Sequence, residues 1–76
     1  MIIVLSKRLT YLRKESELTQ DELSKKLNIS RSAYTHYENG TYEPSIQMLE
    51  LLAEFYDVSV DFLLGRTFIR KPYPKY

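Results

Sequence analysis

Cysteine is absent from the 76 residues, and histidine occurs once. The first absence excludes a disulfide framework and a thiolate metal site, and a single imidazole cannot build a zinc centre by itself. No metal or cofactor is therefore expected, and a reducing, cytoplasmic setting fits the composition. Only two glycines are present, and they form no phosphate-cradling loop. There are no paired carboxylates in a cleft-forming context and no nucleophile beside a base, so an enzyme is not expected. Long hydrophobic runs are missing too. The apolar start from Met1 to Leu5 is too short for a signal-peptide core or a membrane span, and Lys7 and Arg8 follow it rather than precede it. The expectation is a soluble, unprocessed protein. An excess of one charge is likewise lacking, since a net charge of +1 supports nucleic-acid binding only weakly. Charge placement has to carry that argument. What is present is 43% hydrophobic and 28% charged residues, the balance of a folded globular domain. A chain this short makes one domain with a marginal core, to which a dimer interface would add stability.

The informative stretch runs from Thr19 to Gly40. Thr19 is a good N-cap and Glu22, three residues on, completes a capping box, so a helix starts there. Leu23 and Leu27 share one face of it, while Asp21, Glu22, Lys25 and Lys26 cover the outside. Asn28 enters a left-handed conformation at low cost and allows the chain to reverse, with Ile29 turning inward. Ser30 caps a second helix in which Tyr34 and Tyr37 face in and Arg31, Ser32, Thr35 and His36 face out. Asn39-Gly40 ends it. The pair reads as a helix-turn-helix, too short to fold without a supporting body.

The rest of the chain supplies that body. Leu5, Leu9 and Leu12 predict a basic first helix from Leu5 to Glu15. Thr41 to Pro44 reads as an exposed loop. Ser45 caps the longest remaining helix, where Ile46, Leu49, Leu52, Ala53 and Tyr56 are expected to face the core beside a second stripe of Met48, Leu51 and Phe55. Ser59 caps a last short helix with Val60, Leu63 and Leu64, which Gly65 stops. The tail from residue 66 to residue 76 cannot be helical beyond Lys71, because Pro72 and Pro74 interrupt it. Both ends are β-prone, and one reading pairs Ile2-Ile3-Val4 with Thr67-Phe68-Ile69 as short strands.

Five elements carry a family resemblance: L-x-x-L-R at Leu9 to Arg13, L-T-Q-x-E-L at Leu18 to Leu23, I-S-R-S-x-x-x-x-Y-E-N-G at Ile29 to Gly40, E-P-S at Glu43 to Ser45, and V-S-V-D-F-L-L-G at Val58 to Gly65. Singly each is weak, but in this order and spacing the chain resembles the Cro and lambda-repressor-like helix-turn-helix regulators. The resemblance runs from Leu5 to Gly65. It implies an all-α fold, a compact five-helix DNA-binding domain over residues 1–65, followed by a tail over 66–76 that is irregular or β-prone.

The resemblance also implies roles for particular residues. The third helix is expected in the major groove of double-stranded DNA, with Arg31, Ser32, Thr35 and His36 at base edges. Gln20, Asn39 and the Tyr42 hydroxyl are expected at phosphates. Arg13 and Glu38 correspond to an ion pair that links the first helix to the end of the third. Where many relatives carry Lys or Arg before the Pro, this chain has Thr41-Tyr42-Glu43, and Glu43 would repel a phosphate backbone facing it. A homodimer on a palindromic operator is expected, joined through Val60, Phe62 and Leu63, with Met48, Leu51 and Phe55 or the Phe68-Ile69 tail as further candidates; otherwise the tail folds over these side chains within one subunit. The function so implied is a transcriptional regulator, a repressor. The alternative is a protein-binding module, an antitoxin or adaptor, that engages a partner through its Tyr- and Pro-rich tail.

Overall fold

Four hydroxyl side chains set where helices begin. Thr19, Ser30, Ser45 and Ser59 each accept a hydrogen bond from the amide three residues on, at 3.0–3.1 Å. Each such cap is worth about 1 kcal/mol. The computed structural model describes the backbone of residues 2–74 and the side chains of residues 4–74. Among these residues the chain is all-helical, with α1 (Ile2–Glu15), α2 (Gln20–Lys26), α3 (Arg31–Asn39), α4 (Ile46–Tyr56) and α5 (Val60–Leu63).

One device closes all five. After each helix a residue takes positive φ: Glu17, Asn28, Gly40, Asp57 and Gly65. The next amide then bonds back across five residues: Leu18 to Arg13, Ile29 to Ser24, Thr41 to His36, Val58 to Ala53 and Arg66 to Asp61, at 2.9–3.2 Å. These are Schellman closures, which satisfy orphan carbonyls and bring the following apolar residue back onto the body. Asn28, Gly40 and Gly65 advertise this in the sequence. Asp57 does so more weakly, and Glu17 does not.

The core joins Leu5, Leu9 and Leu12 of α1 to Leu23, Tyr34, Leu52, Ala53, Val58, Phe62 and Leu63. Leu9, Leu23, Leu52 and Leu63 are wholly buried, so truncating any one to Ala costs about 2–5 kcal/mol. Ile46, expected in this wall, is instead 77% exposed. It is the first residue of α4, and a helical Cβ points back toward the N-terminus, so the core periodicity runs past the end of the bundle there. Pro44, read as part of an exposed loop, is buried.

The paired-strand reading of the termini is overturned. The backbone is helical from Ile2, because α1 extends its ladder by one hydrogen bond per residue beside Gly65, and that gain outweighs the β preference of Ile and Val. The tail packs as an irregular strap. The Arg8 guanidinium donates to the carbonyls of Phe62 and Thr67, the Ser59 amide donates to the Arg70 carbonyl at 2.9 Å, Arg70 makes a forked pair with Glu15, and the Tyr73 hydroxyl donates to Asp61 at 2.7 Å. Arg8 and Arg70 lie over the Phe62 ring at 4.1 and 5.7 Å. Phe68 stays 91% exposed. Tyr76 lies outside the described residues.

Candidate nucleic-acid interface

The face begins at the start of α2. The Thr19 amide donates to Glu22 Oε1 at 2.9 Å while the Glu22 amide donates to the Thr19 hydroxyl, which completes the capping box. Bonds from Thr19 hold the Glu22 carboxyl below its ordinary range. Ser24 is buried where α2 meets α3, and its hydroxyl bonds back to the Asp21 carbonyl at 2.8 Å. A small residue there permits the close crossing. Asn28 at φ 59 reverses the chain, and α3 starts at the Ser30 cap.

Orientation of α3 is set by a partly buried polar network. Arg13 forks onto Glu38, Nε to Oε2 at 2.7 Å and Nη2 to Oε1 at 3.2 Å, with side chains only 13% and 3% exposed. Arg13 Nη1 also donates to the Leu18 carbonyl at 2.8 Å, tying in the approach to α2. Gln20 Nε2 donates to Glu38 Oε1 at 3.1 Å, and the Thr35 hydroxyl donates to Gln20 Oε1 at 2.9 Å. The amide has one workable orientation here. An ionised Glu38 only accepts, so the nitrogen must face it and the oxygen is left to take the Thr35 proton.

Burial by itself would raise the Glu38 carboxyl, but bonds from Arg13 and Gln20 outweigh it and hold the group below its ordinary value. The Tyr34 and Tyr56 hydroxyls are buried next to this cluster. Burial first, and then the nearby Glu38 charge, push both phenols upward, Tyr56 to about 12. Both therefore stay neutral. Thr10, whose hydroxyl lies 3.1 Å from Glu38 Oε1, belongs to the network as well. No family motif marks this threonine, and its place one turn before Arg13 is the sequence signal that points to it.

The residues expected to meet DNA thus fall into two groups. Arg31, Ser32, Asn39 and Tyr42 are exposed, while Gln20, Thr35 and His36 are half-buried. Gln20 and Thr35, read as separate contacts, are one hydrogen-bonded unit. His36 and Tyr42 are also joined, with ring centroids 4.2 Å apart. Of the residues expected at a dimer surface, Val60 is half-buried, but Phe62 and Leu63 are buried in the core. Within the single chain, Arg8 and Arg70 lie over the Phe62 ring. Among the described residues there is no group of His, Cys, Asp and Glu that could hold a metal ion, and no helix is long and apolar enough to cross a membrane.

Comparison with known proteins agrees with this geometry. The helix-turn-helix family profile matches residues 9–63. The chain is 45% identical over 60 residues to YobD of Bacillus subtilis (strain 168), an uncharacterized HTH-type transcriptional regulator, covering 79% of this chain and 54% of that protein. It is 33% identical over 75 residues to the immunity repressor protein of Bacillus phage phi105, covering 97% and 52%. It is 34% identical over 60 residues to BcrR of Enterococcus faecalis, an HTH-type transcriptional activator, covering 79% and 29%. The chain spans about half the length of the first two. With the profile matched from the second turn of α1 to the end of α5, and every helix and turn of the motif in place, the chain belongs to the Cro/C1-type helix-turn-helix family.

Proposed function

We propose that this chain is a sequence-specific, double-stranded DNA-binding regulator of transcription, with α3 in the major groove of a palindromic operator. The observation that carries the reading is the pairing of an exposed polar face on α3 with a rigid anchor behind it. Arg31 and Ser32 are exposed, and Glu38 on the same helix is bound by Arg13, Gln20 and Thr10. Such a surface can match a groove without reorganising. Arg31 donates to guanine O6 and N7, and Ser32 and His36 meet neighbouring base edges. The free N–H of Gln20, at the start of α2, reaches phosphate together with Asn39. The tail's bonds go to α1, α5 and the α5 cap, away from Arg31 and Ser32. Repression is favoured by the name of the phage relative, whereas BcrR is named an activator, so where the operator lies decides the sign.

A salt titration with a duplex obtained by site selection tests the reading. Binding is expected to weaken steeply with added salt, with log K linear in log salt concentration. Arg31→Ala is expected to cost about 1–3 kcal/mol on the selected duplex and little on random DNA. A flat salt response, or equal losses on both duplexes, would exclude base reading by α3.

Dimerisation is assigned to the tail rather than to Phe62 and Leu63, because Phe68 and Ile69 are 91% and 69% exposed on a segment held by Arg70 and Tyr73. Phe68→Glu is expected to convert a dimer to a monomer in sedimentation and to abolish the dependence of the melting temperature on protein concentration. A variant that sediments as the parent does would remove the tail from the interface. The same exposed pair is what favours the second reading, a protein-binding module. A chain that ignores all duplexes and co-purifies with another protein would select that one.

A further inference from the structure

We infer that Tyr42 is a positioning residue for base reading: it holds the His36 imidazole so that Nε2–H is the one donor this side chain presents outward. The inference rests on the proposed reading of DNA by α3 and adds a specificity device to it. Its basis is the closure after α3. Gly40 turns the chain at φ 76, and the amides of Thr41 and Tyr42 both donate to the His36 carbonyl, at 3.0 and 3.3 Å. Three residues are thereby folded back onto the helix end. The Tyr42 ring comes to rest on the imidazole, centroids 4.2 Å apart and planes tilted by 33°.

This stack selects one face of His36 chemistry. Nδ1 is buried and has no hydrogen-bond partner. A proton on Nδ1 would be a buried donor without an acceptor, a costly state, so the proton resides on Nε2. Nε2–H can be satisfied outside the protein, by water or by a purine acceptor in the groove. A free imidazole would offer either nitrogen, as donor or as acceptor, and so discriminate bases poorly. Tyr42, 54% exposed, thereby acts on sequence choice through another side chain rather than through its own hydroxyl.

The chain has a single histidine, so the imidazole nitrogens of the full-length, 15N-labelled protein can be observed without ambiguity. The expected spectrum has Nε2 protonated and Nδ1 unprotonated in the parent and in Tyr42→Phe, which keeps the ring. In Tyr42→Ala the two nitrogens are expected to move toward an average. A parent with Nδ1 protonated, or a Tyr42→Ala spectrum like the parent's, overturns the inference. Site selection supplies the second readout. Tyr42→Ala is expected to lose about tenfold discrimination at one position per half-site with an unchanged salt slope, and Tyr42→Phe to select as the parent does. If Tyr42→Phe instead weakens binding to all duplexes and lowers the salt slope by about 1, the hydroxyl is a phosphate contact and the inference fails. Failure of the parent to bind any duplex would sink the DNA reading separately, because the nitrogen spectrum does not depend on DNA.

Discussion

Arg13→Ala is expected to remove about 3–5 kcal/mol of stability, the loss seen when one partner of a buried pair is deleted and the other charge is left unmatched. For a domain of this size each kcal/mol corresponds to about 4–8 °C in melting temperature. With a total stability on the order of 5–15 kcal/mol, the variant would sit near the edge of folding at 37 °C. Lys14→Ala, next to it but exposed, is expected to stay within about 0.5 kcal/mol of the parent. Equal losses in urea denaturation would show that the pair does not matter. The cost arises from what Arg13 does for Glu38, which is nearly inaccessible to water at 3% exposure and also receives Gln20. Replacing both partners, Arg13→Met with Glu38→Leu, is expected to recover part of the stability, since an apolar pair carries no desolvation penalty. It should not recover DNA affinity. Gln20 would lose its acceptor, and with it the fixed orientation of the amide that Thr35 shares.

The same cluster sets an acid response. Glu38 is held below its ordinary value of 4.5 in the folded chain, so its contribution is complete above that value and is lost as the pH falls through the lower folded-state value. The stability gap between the parent and Glu38→Gln is therefore expected to shrink as the pH falls below 4.5. A gap that widened in acid would contradict the assignment of charge.

Gly65→Ala is expected to cost about 2–3 kcal/mol, from two separate sources. Gly65 sits at φ +78, and a Cβ built there would stand 2.4 Å from Val4 Cγ1 and 3.2 Å from Val4 Cβ. The left-handed conformation alone costs a residue with a Cβ about 1–2 kcal/mol. The clash adds to it, because Val4 Cβ is fixed by the backbone and rotating the valine about χ1 relieves only the contact with Cγ1. Gly40→Ala separates the two terms: its φ is +76, but the added Cβ meets only Ser6 Oγ and Cβ at ordinary distances of 3.7 and 3.9 Å. It is expected to show the conformational cost alone. Adding Val4→Ala to Gly65→Ala should bring that variant close to the Gly40→Ala value. Thermal unfolding of the four proteins decides this, and equal losses for both glycine variants would mean that Val4 gives way freely.

Much of the site was legible in advance because its determinants are short. The Thr19 and Glu22 capping box, the Ser30 cap, the Asn28 reversal and the Gly40 stop each act over three to five residues, so residue type and spacing reveal them. The Arg13–Glu38 pair came from family resemblance, not from spacing. Missed features have a different origin. Glu17 takes a left-handed conformation that its side chain does not favour, because the Schellman closure and the return of Leu18 to the body outweigh the local cost. The resemblance placed Phe62 at a dimer surface, yet within one chain the tail and two arginines enclose it.

By itself the sequence determined the all-helical class, four of the helix starts, the turn between α2 and α3 and that Arg31 and Ser32 of α3 face outward, since caps, periodicity and left-handed residues work within one or two helical turns. Only the tertiary structure decided that Gln20, Thr35 and Glu38 form one unit, that Tyr42 stacks on His36, and that Ile46 lies outside while Phe62 lies inside. Those outcomes depend on which surfaces meet across fifteen to twenty-five residues of chain in the network and more than fifty for the tail on α1. Packing and the need to satisfy buried polar groups select such contacts jointly, and no local pattern encodes them.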